Sequence, residues 1–198
     1  MNKILILVLL AVGFFQQPEW QLKKEKNGIS IYTRSVAGSA FDEFKGVITF
    51  ENSSLEEVLA VISDIKNYTT LYPDCMNPKI LKQEGKHNFI HYSQTKGPLT
   101  IKDRDCIMEQ KTVIDKEGKH AIINLKPLPG YIPENKDLVR VRDGGGFWEI
   151  EENKSNVKVI YQFRGEPGGD IPAWLANSFV ETQPYQTLLN LRNRLKKP

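Results

Sequence analysis

The chain has 198 residues, 40% of them hydrophobic and 26% charged, with a formal net charge of +3. This is ordinary globular composition, long enough for one good core, and it lacks the clustered basic stripe of a nucleic-acid binder. One domain spanning residues 19–198 is expected, without repeats, low-complexity tracts or linkers.

Met1-Asn2-Lys3 precedes an apolar run from Ile4 to Phe15, followed by polar Gln16-Gln17-Pro18. A single Lys, about a dozen apolar residues and the small-x-small Ala11-Val12-Gly13 read as a signal peptide over residues 1–15, which predicts a periplasmic or secreted protein. The run is short for a membrane span, which takes about 20 residues. The alternative is an uncleaved N-terminal membrane anchor, because Phe14 and Phe15 extend the run past the cleavage site.

Asn27-Gly28 signals a tight turn, and Ile29 to Thr33 after it alternates as a half-buried strand. A second strand is expected from Phe44 to Phe50. Ser53-Ser54-Leu55-Glu56 has the capping-box pattern, with Ser53 as N-cap and Glu56 reaching back. Leu55, Val58, Leu59, Ile62 and Ile65 then recur at helical spacing, predicting an amphipathic helix over 54–65. Asn67 to Pro78 is turn-rich and is expected to wrap one end of the fold.

Further strands are predicted at 88–95, 99–112, 120–127, 137–142, 146–152 and 156–164. In the last, Val157, Val159, Tyr161 and Phe163 share one face, which should be buried. Gly144-Gly145-Gly146 reads as a hairpin loop. Gly165 to Gly169 ends the final strand, and Asp170 is placed to cap a helix starting at Ile171-Pro172. Ile171, Trp174, Leu175, Phe179, Leu188, Leu191 and Leu195 stripe that helix across about six turns. Pro184 inside it should kink it. The expected fold class is α+β: a curved antiparallel sheet wrapped around one long C-terminal helix.

Ile101 to Met108 raises the question of why a strand carries Lys102, Asp103, Arg104 and Asp105. Parity puts Arg104 beside Cys106 and Met108 on one face, and Asp105 beside Ile107 and Glu109 on the other. If the Cys-Met face looks inward, Arg104 enters the concave side of the sheet, where a guanidinium needs partners. Either both charges meet satisfied partners at a strand end, or Arg104 anchors the polar part of an apolar ligand cavity.

Cys75 and Cys106 form a disulfide only if the fold brings them together, which sequence leaves open. His87, His91 and His120 share no metal spacing with either cysteine, so no metal or cofactor is expected. Gly-x-Ser-x-Gly and His-Glu-x-x-His patterns are absent, and no nucleophilic triad stands out. Arg192, Arg194, Lys196 and Lys197 read as a solvated last helical turn; a membrane-surface contact is the sharper alternative.

Trp20 with Gly28 to Arg34, Leu55-Glu56-Glu57-Val58, Pro98 followed by Asp103-Arg104-Asp105, Trp148, and Pro167-Gly168-Gly169-Asp170-Ile171-Pro172-Ala173-Trp174-Leu175-Ala176-Asn177 occur in order along the chain. Together they resemble the START domain, the StAR-related lipid transfer module. The resemblance implies a helix-grip fold enclosing a hydrophobic tunnel for one lipid or sterol, with the C-terminal helix and an adjacent loop as lid. In several family members the arginine pairs with an acidic residue on the preceding strand. Here Phe89 to Gln94 holds no Asp or Glu, leaving Tyr92 or Gln94 as neutral partners.

The candidate ligand-binding residues are therefore Arg104, Tyr92, Gln94, Cys106, Met108, Trp148, Trp174 and Phe179. The expected function is non-enzymatic binding, and transfer, of a hydrophobic molecule by a monomer that touches membranes transiently. The alternative is a helix-grip cyclase or hydrolase using Arg104, Tyr92, His91 or Asp105 as acid or base. A groove for a peptide or partner helix is a third reading.

Overall fold

A computed structural model describes residues 18–98, 100–169 and 171–196. The N-terminal run proposed as a signal peptide and the proposed Asp170 cap lie outside these residues.

Ten described strands form one sheet: β1 (Gln21–Lys26), β2 (Ile29–Arg34), β3 (Glu43–Glu51), β4 (Cys75–Glu84), β5 (Asn88–Thr95), β6 (Arg104–Ile114), β7 (His120–Pro127), β8 (Val139–Arg140), β9 (Asp143–Glu152) and β10 (Asn156–Glu166). Their order is β1-β2-β3-β10-β9-β7-β6-β5-β4, with every neighbour on this path antiparallel. β8 runs parallel to the first residues of β6, where β7 is no longer alongside. The helices are α1 (Leu55–Ile62) and α2 (Ala173–Leu195), with a 3-10 helix at Ile65–Thr70.

The capping box is real but sits one residue later than expected. Ser54 is the N-cap; its hydroxyl accepts from the Glu57 amide and the Glu57 carboxylate accepts from the Ser54 amide. Glu56 instead faces Lys86 on the loop before β5. α1 stops at Ile62 rather than 65, and the chain tightens into the 3-10 turn, whose Tyr68 hydroxyl reaches the Ile62 carbonyl and the Gln110 side chain. Leu55, Val58, Leu59 and Ile62 bury the α1 face predicted by periodicity.

Two other segments differ from expectation. The last residues of the expected loop 67–78 instead open the strand Cys75–Glu84, and turn-like residues serve its irregularities: Asp74 just before it and Asn77 within it have positive φ, and the register shifts between Met76 and Lys79. Gly144-Gly145-Gly146 lies inside β9, between β7 and β10. Glycine is required there by close approach, since a Cβ on Gly146 would stand 2.1 Å from the Gln162 carbonyl oxygen.

α2 is gripped mainly by its second half. Pro184, Tyr185, Thr187, Leu188 and Leu191 are buried, while Trp174 in the first turn is 73% exposed. The helix begins at Ala173, with Pro172 at the N-cap. The Asn27-Gly28 turn joins β1 to β2 at positive φ and fastens this half: Asn27 donates to the Tyr185 hydroxyl, and Arg192 donates to the Asn27 carbonyl. Arg194 pairs with Asp64, so this basic turn is partly committed to the fold rather than wholly solvated.

Candidate functional site

Between the concave sheet face and the first half of α2 lies a cavity of about 710 Å³. Strand alternation builds its floor. On β10, Val157 and Val159 are buried in the core, and the same face continues into Tyr161 and Phe163 on the cavity wall. On β5 the face contributes His91, Ser93 and Thr95; on β6, Arg104, Cys106 and Met108. Phe44 packs edge-on against Tyr161 with ring centroids 5.0 Å apart, and Tyr68 and Tyr72 close the far side as a T-shaped pair at 4.8 Å.

Arg104 is therefore inward, as parity predicts, and is buried. Its partners are backbone carbonyls: Nε donates to Pro167 at 3.4 Å, Nη2 to Gly168 at 3.2 Å, and Nη1 to Lys102. Gly168 and Gly169 both take φ of +65°, a conformation open to glycine, in the turn that presents these carbonyls. The arginine thus ties the end of β10 and the approach to α2 onto β6.

Tyr92 and Gln94 do not serve it. The register sets Tyr92 opposite Ile107 and Gln94 opposite Asp105, on the reverse face of the sheet. There Asn77 donates to Gln94 at 2.6 Å and Gln94 donates to the Tyr92 hydroxyl at 2.7 Å. On the same face Asp105 pairs with Arg140, a partner that sequence reasoning missed.

Of the proposed ligand-binding residues, Arg104, Cys106, Met108 and Phe179 lie on the cavity wall. Tyr92 and Gln94 are excluded from it by strand parity. Trp148 is fully buried and stacks flat on Tyr161, centroids 3.9 Å apart, so it supports the wall without forming it. Trp174 points to solvent. Sequence reasoning missed Tyr68, Tyr72 and Cys75 as wall residues and named His91 only as an acid or base of the enzyme alternative; it stands directly opposite Met108 on the inward face.

Burial raises the Cys75 thiol to about 11 and the Cys106 thiol to about 12. Both are free. They stand on β4 and β6 with β5 between and two residues out of line, about 12 Å apart across the sheet, beyond the reach of a disulfide. The four acid/base candidates of the enzyme reading are likewise separated: His91 and Arg104 face the cavity, while Tyr92 and Asp105 face away. Among the described residues no cluster of three His, Cys, Asp or Glu side chains is arranged to hold a metal.

The rim is polar. The Asp42 amide donates to Asn177 on α2 at 3.1 Å, Asn177 donates to the Ala40 carbonyl at 3.3 Å, and Gln183 donates to Asp74 at 2.9 Å. Asp42, Asp74, Asn177 and Gln183 all border the cavity. The first half of α2 is held to two loops by these few bonds.

No protein-family model matches the chain. An uncharacterized protein of Pseudomonas aeruginosa is 34% identical over 204 residues, covering all of both chains. The human phosphatidylcholine transfer protein is 29% identical over 176 residues, 84% of this chain and 81% of that protein. Among solved structures, the STAR-related lipid transfer protein from Xanthomonas axonopodis superposes with a TM-score of 0.83 at 30% identity, over 90% of this chain and 99% of that one. An aromatase/cyclase from Streptomyces shares the fold alone, with a TM-score of 0.50 at 13% identity over 77% of this chain and 90% of that one.

Proposed function

The chain belongs to the StAR-related lipid transfer (START) family, and from that membership we propose that it is a non-enzymatic carrier of one lipid or similar hydrophobic molecule, held in the cavity beneath α2. The observation that carries the reading is the cavity itself. Its volume of about 710 Å³ falls in the ordinary range for small-molecule sites, and its exposed surface is mostly aromatic and aliphatic, with polar side chains concentrated at the rim and at one end.

The way α2 is held supports transfer. Its second half is packed into the core, whereas its first half is pinned by side-chain hydrogen bonds at the rim, so release of those bonds opens the cavity without unfolding the sheet. In this reading Trp174, exposed in the first turn, touches the bilayer surface during exchange, as an amphipathic ring does at a lipid interface. The apolar N-terminal run makes an exported compartment part of the proposal; N-terminal sequencing of the protein from fractionated cells tests it, and a cytoplasmic, unprocessed chain would refute it.

The central experiment is native mass spectrometry of the protein purified from its own compartment, followed by solvent extraction. One lipid per chain is expected. A chain that emerges empty, and after delipidation takes up no lipid from mixed vesicles, would refute the proposal.

A further inference from the structure

We propose that Asn27 is a site of spontaneous deamidation, guarded by Tyr185, and that its conversion loosens the hold of the fold on α2. Asn27-Gly28 is the one Asn-Gly pair in the sequence. Glycine carries no side chain to obstruct its own backbone nitrogen, so this pair sets the asparagine side-chain amide next to an open internal nucleophile. Both residues are exposed, at the tip of a two-residue turn between the paired Lys26 and Ile29, with φ of +54° and +68°. Nothing lies within 4 Å of the place a Gly28 side chain would take, so the turn stands clear of neighbouring segments on that side. Asn27 is nevertheless restrained: its Nδ2 donates to the Tyr185 hydroxyl at 3.0 Å, and Arg192 Nη2 donates to its carbonyl at 2.6 Å. Lys24 holds Tyr185 in turn, its ammonium 4.1 Å from the ring centroid.

The reaction needs only water. The Gly28 nitrogen attacks Cγ of Asn27 and loses its proton, the Cγ–Nδ2 bond breaks, and ammonia leaves, closing a succinimide ring. Water then adds to either ring carbonyl, and the ring C–N bond breaks at that carbon. Opening at Cγ restores the backbone and leaves aspartate; opening at the main-chain carbonyl carbon leaves isoaspartate, whose chain runs through Cβ and Cγ. While Nδ2 is bonded to Tyr185 the side chain is not free to swing Cγ onto the Gly28 nitrogen, so conversion proceeds through the fraction in which this bond is open. The two products differ in effect. Aspartate keeps the turn and meets the Tyr185 hydroxyl, which donates as readily as it accepts, with the Lys24 ammonium on the same ring. Isoaspartate adds one backbone atom to a turn whose length is set by the Lys26–Ile29 pair, so the ladder frays there. The former Asn27 carbonyl becomes a carboxylate off the main chain, and Arg192 no longer ties α2 to the backbone of the turn.

Incubation of the folded protein in mildly alkaline buffer, sampled by peptide mass spectrometry, reads conversion at Asn27. Asn52, which precedes Ser53, serves as internal control and registers any general loosening of the fold. Tyr185→Phe removes the guard and keeps a ring under Lys24. It is expected to deamidate at Asn27 up to about tenfold faster than wild type, the worth of one net hydrogen bond, with Asn52 unchanged. Equal rates at Asn27 in the two proteins, or no conversion in either while the urea-unfolded chain converts, overturns the proposal. Hydrogen exchange on the aged protein tests the consequence. The isoaspartyl fraction, separated by chromatography, should exchange the amides of residues 185–195 several-fold faster than wild type. Asn27→Asp, which makes the other product directly, should match wild type. An isoaspartyl fraction as protected as wild type, or equal loosening in Asn27→Asp, overturns the link between the lengthened turn and the hold on α2.

Discussion

Arg140 holds Asp105 through two parallel hydrogen bonds, Nε to Oδ1 at 2.8 Å and Nη2 to Oδ2 at 2.9 Å, with both side chains 2% exposed. The same guanidinium donates to the carbonyls of Pro129, Ile132 and Pro133, so it also fastens the loop after β7. This is the other half of the answer to why β6 opens with charges: Arg104 and Asp105 face opposite sides, and each is satisfied there. Arg140→Ala strands a buried carboxylate and should lower stability by about 3–5 kcal/mol. Arg140→Lys, which cannot form the fork, should recover only part of the loss. Urea denaturation checks both, and wild-type stability in the alanine variant would refute the account.

Gly146→Ala is expected to cost at least about 2 kcal/mol, because the new methyl meets the backbone of β10 at Gln162 and Phe163, and backbone cannot step aside. Gly130→Ala, where the new atom meets nothing within 4 Å, should stay within about 0.5 kcal/mol of wild type. Thermal melts of the two variants, measured side by side, separate close approach from a general intolerance of glycine replacement.

His91 also sets an acid limit. Its pKa is held at about 4 in the folded protein, against about 6.5 unfolded. The unfolded chain therefore binds the proton first, so stability falls as pH drops from about 6.5 to 4, by about 3 kcal/mol once the lower value is passed. Urea midpoints followed over this range for wild type and His91→Phe should differ in slope, the variant being flatter. Parallel curves would show that the imidazole does not titrate as stated.

The raised thiols of Cys75 and Cys106 should react with iodoacetamide at pH 8 roughly a hundredfold and roughly a thousandfold more slowly, respectively, than a free cysteine, since little of either is thiolate. Both border the cavity, so bound lipid should slow them further. Labelling followed by peptide mass spectrometry reads each site separately, and rapid labelling of the folded, loaded protein would count against the assigned cavity wall.

Gln183→Ala and Asn177→Ala each remove side-chain bonds at the rim of α2. If the first half of the helix gates the cavity, each should speed exchange of bound lipid with vesicles roughly two- to tenfold, with little change in equilibrium stability. Unchanged exchange in the double variant would place the gate elsewhere.

Much of this fold was legible because strands alternate. β5 and β7 occupy the residues that alternation predicts, and parity alone oriented Arg104 inward. What escaped was decided by contacts between distant segments. Asn77 and Pro78 look like a loop but belong to the start of a bulged strand that β5 recruits, with Asp74 in the turn just before it. The Gly144 to Gly146 run looks like a turn until β7 and β10 are packed on either side of it. The partners of Arg104 are carbonyls, which every residue carries, so no side-chain pattern could reveal them. Trp174 and Trp148 show the same limit from the other direction: one bulky apolar residue is at the surface and the other lies behind the wall, and their spacing distinguishes neither from a cavity residue.

The sheet ends at β1 and β4 and does not close on itself. An open edge is a template on which a second chain can add strands and begin a fibril. Here β1 reads Gln-Leu-Lys-Lys-Glu-Lys, with a register shift between Leu22 and Lys24. β4 carries Pro78 and two register shifts, at Met76/Lys79 and Ile80/Lys82. An incoming strand would meet clustered lysines at one edge and, at the other, a bent ladder with a missing amide hydrogen. Among the described residues, the curvature that leaves room for a ligand therefore comes with borders poorly shaped to accept an added strand.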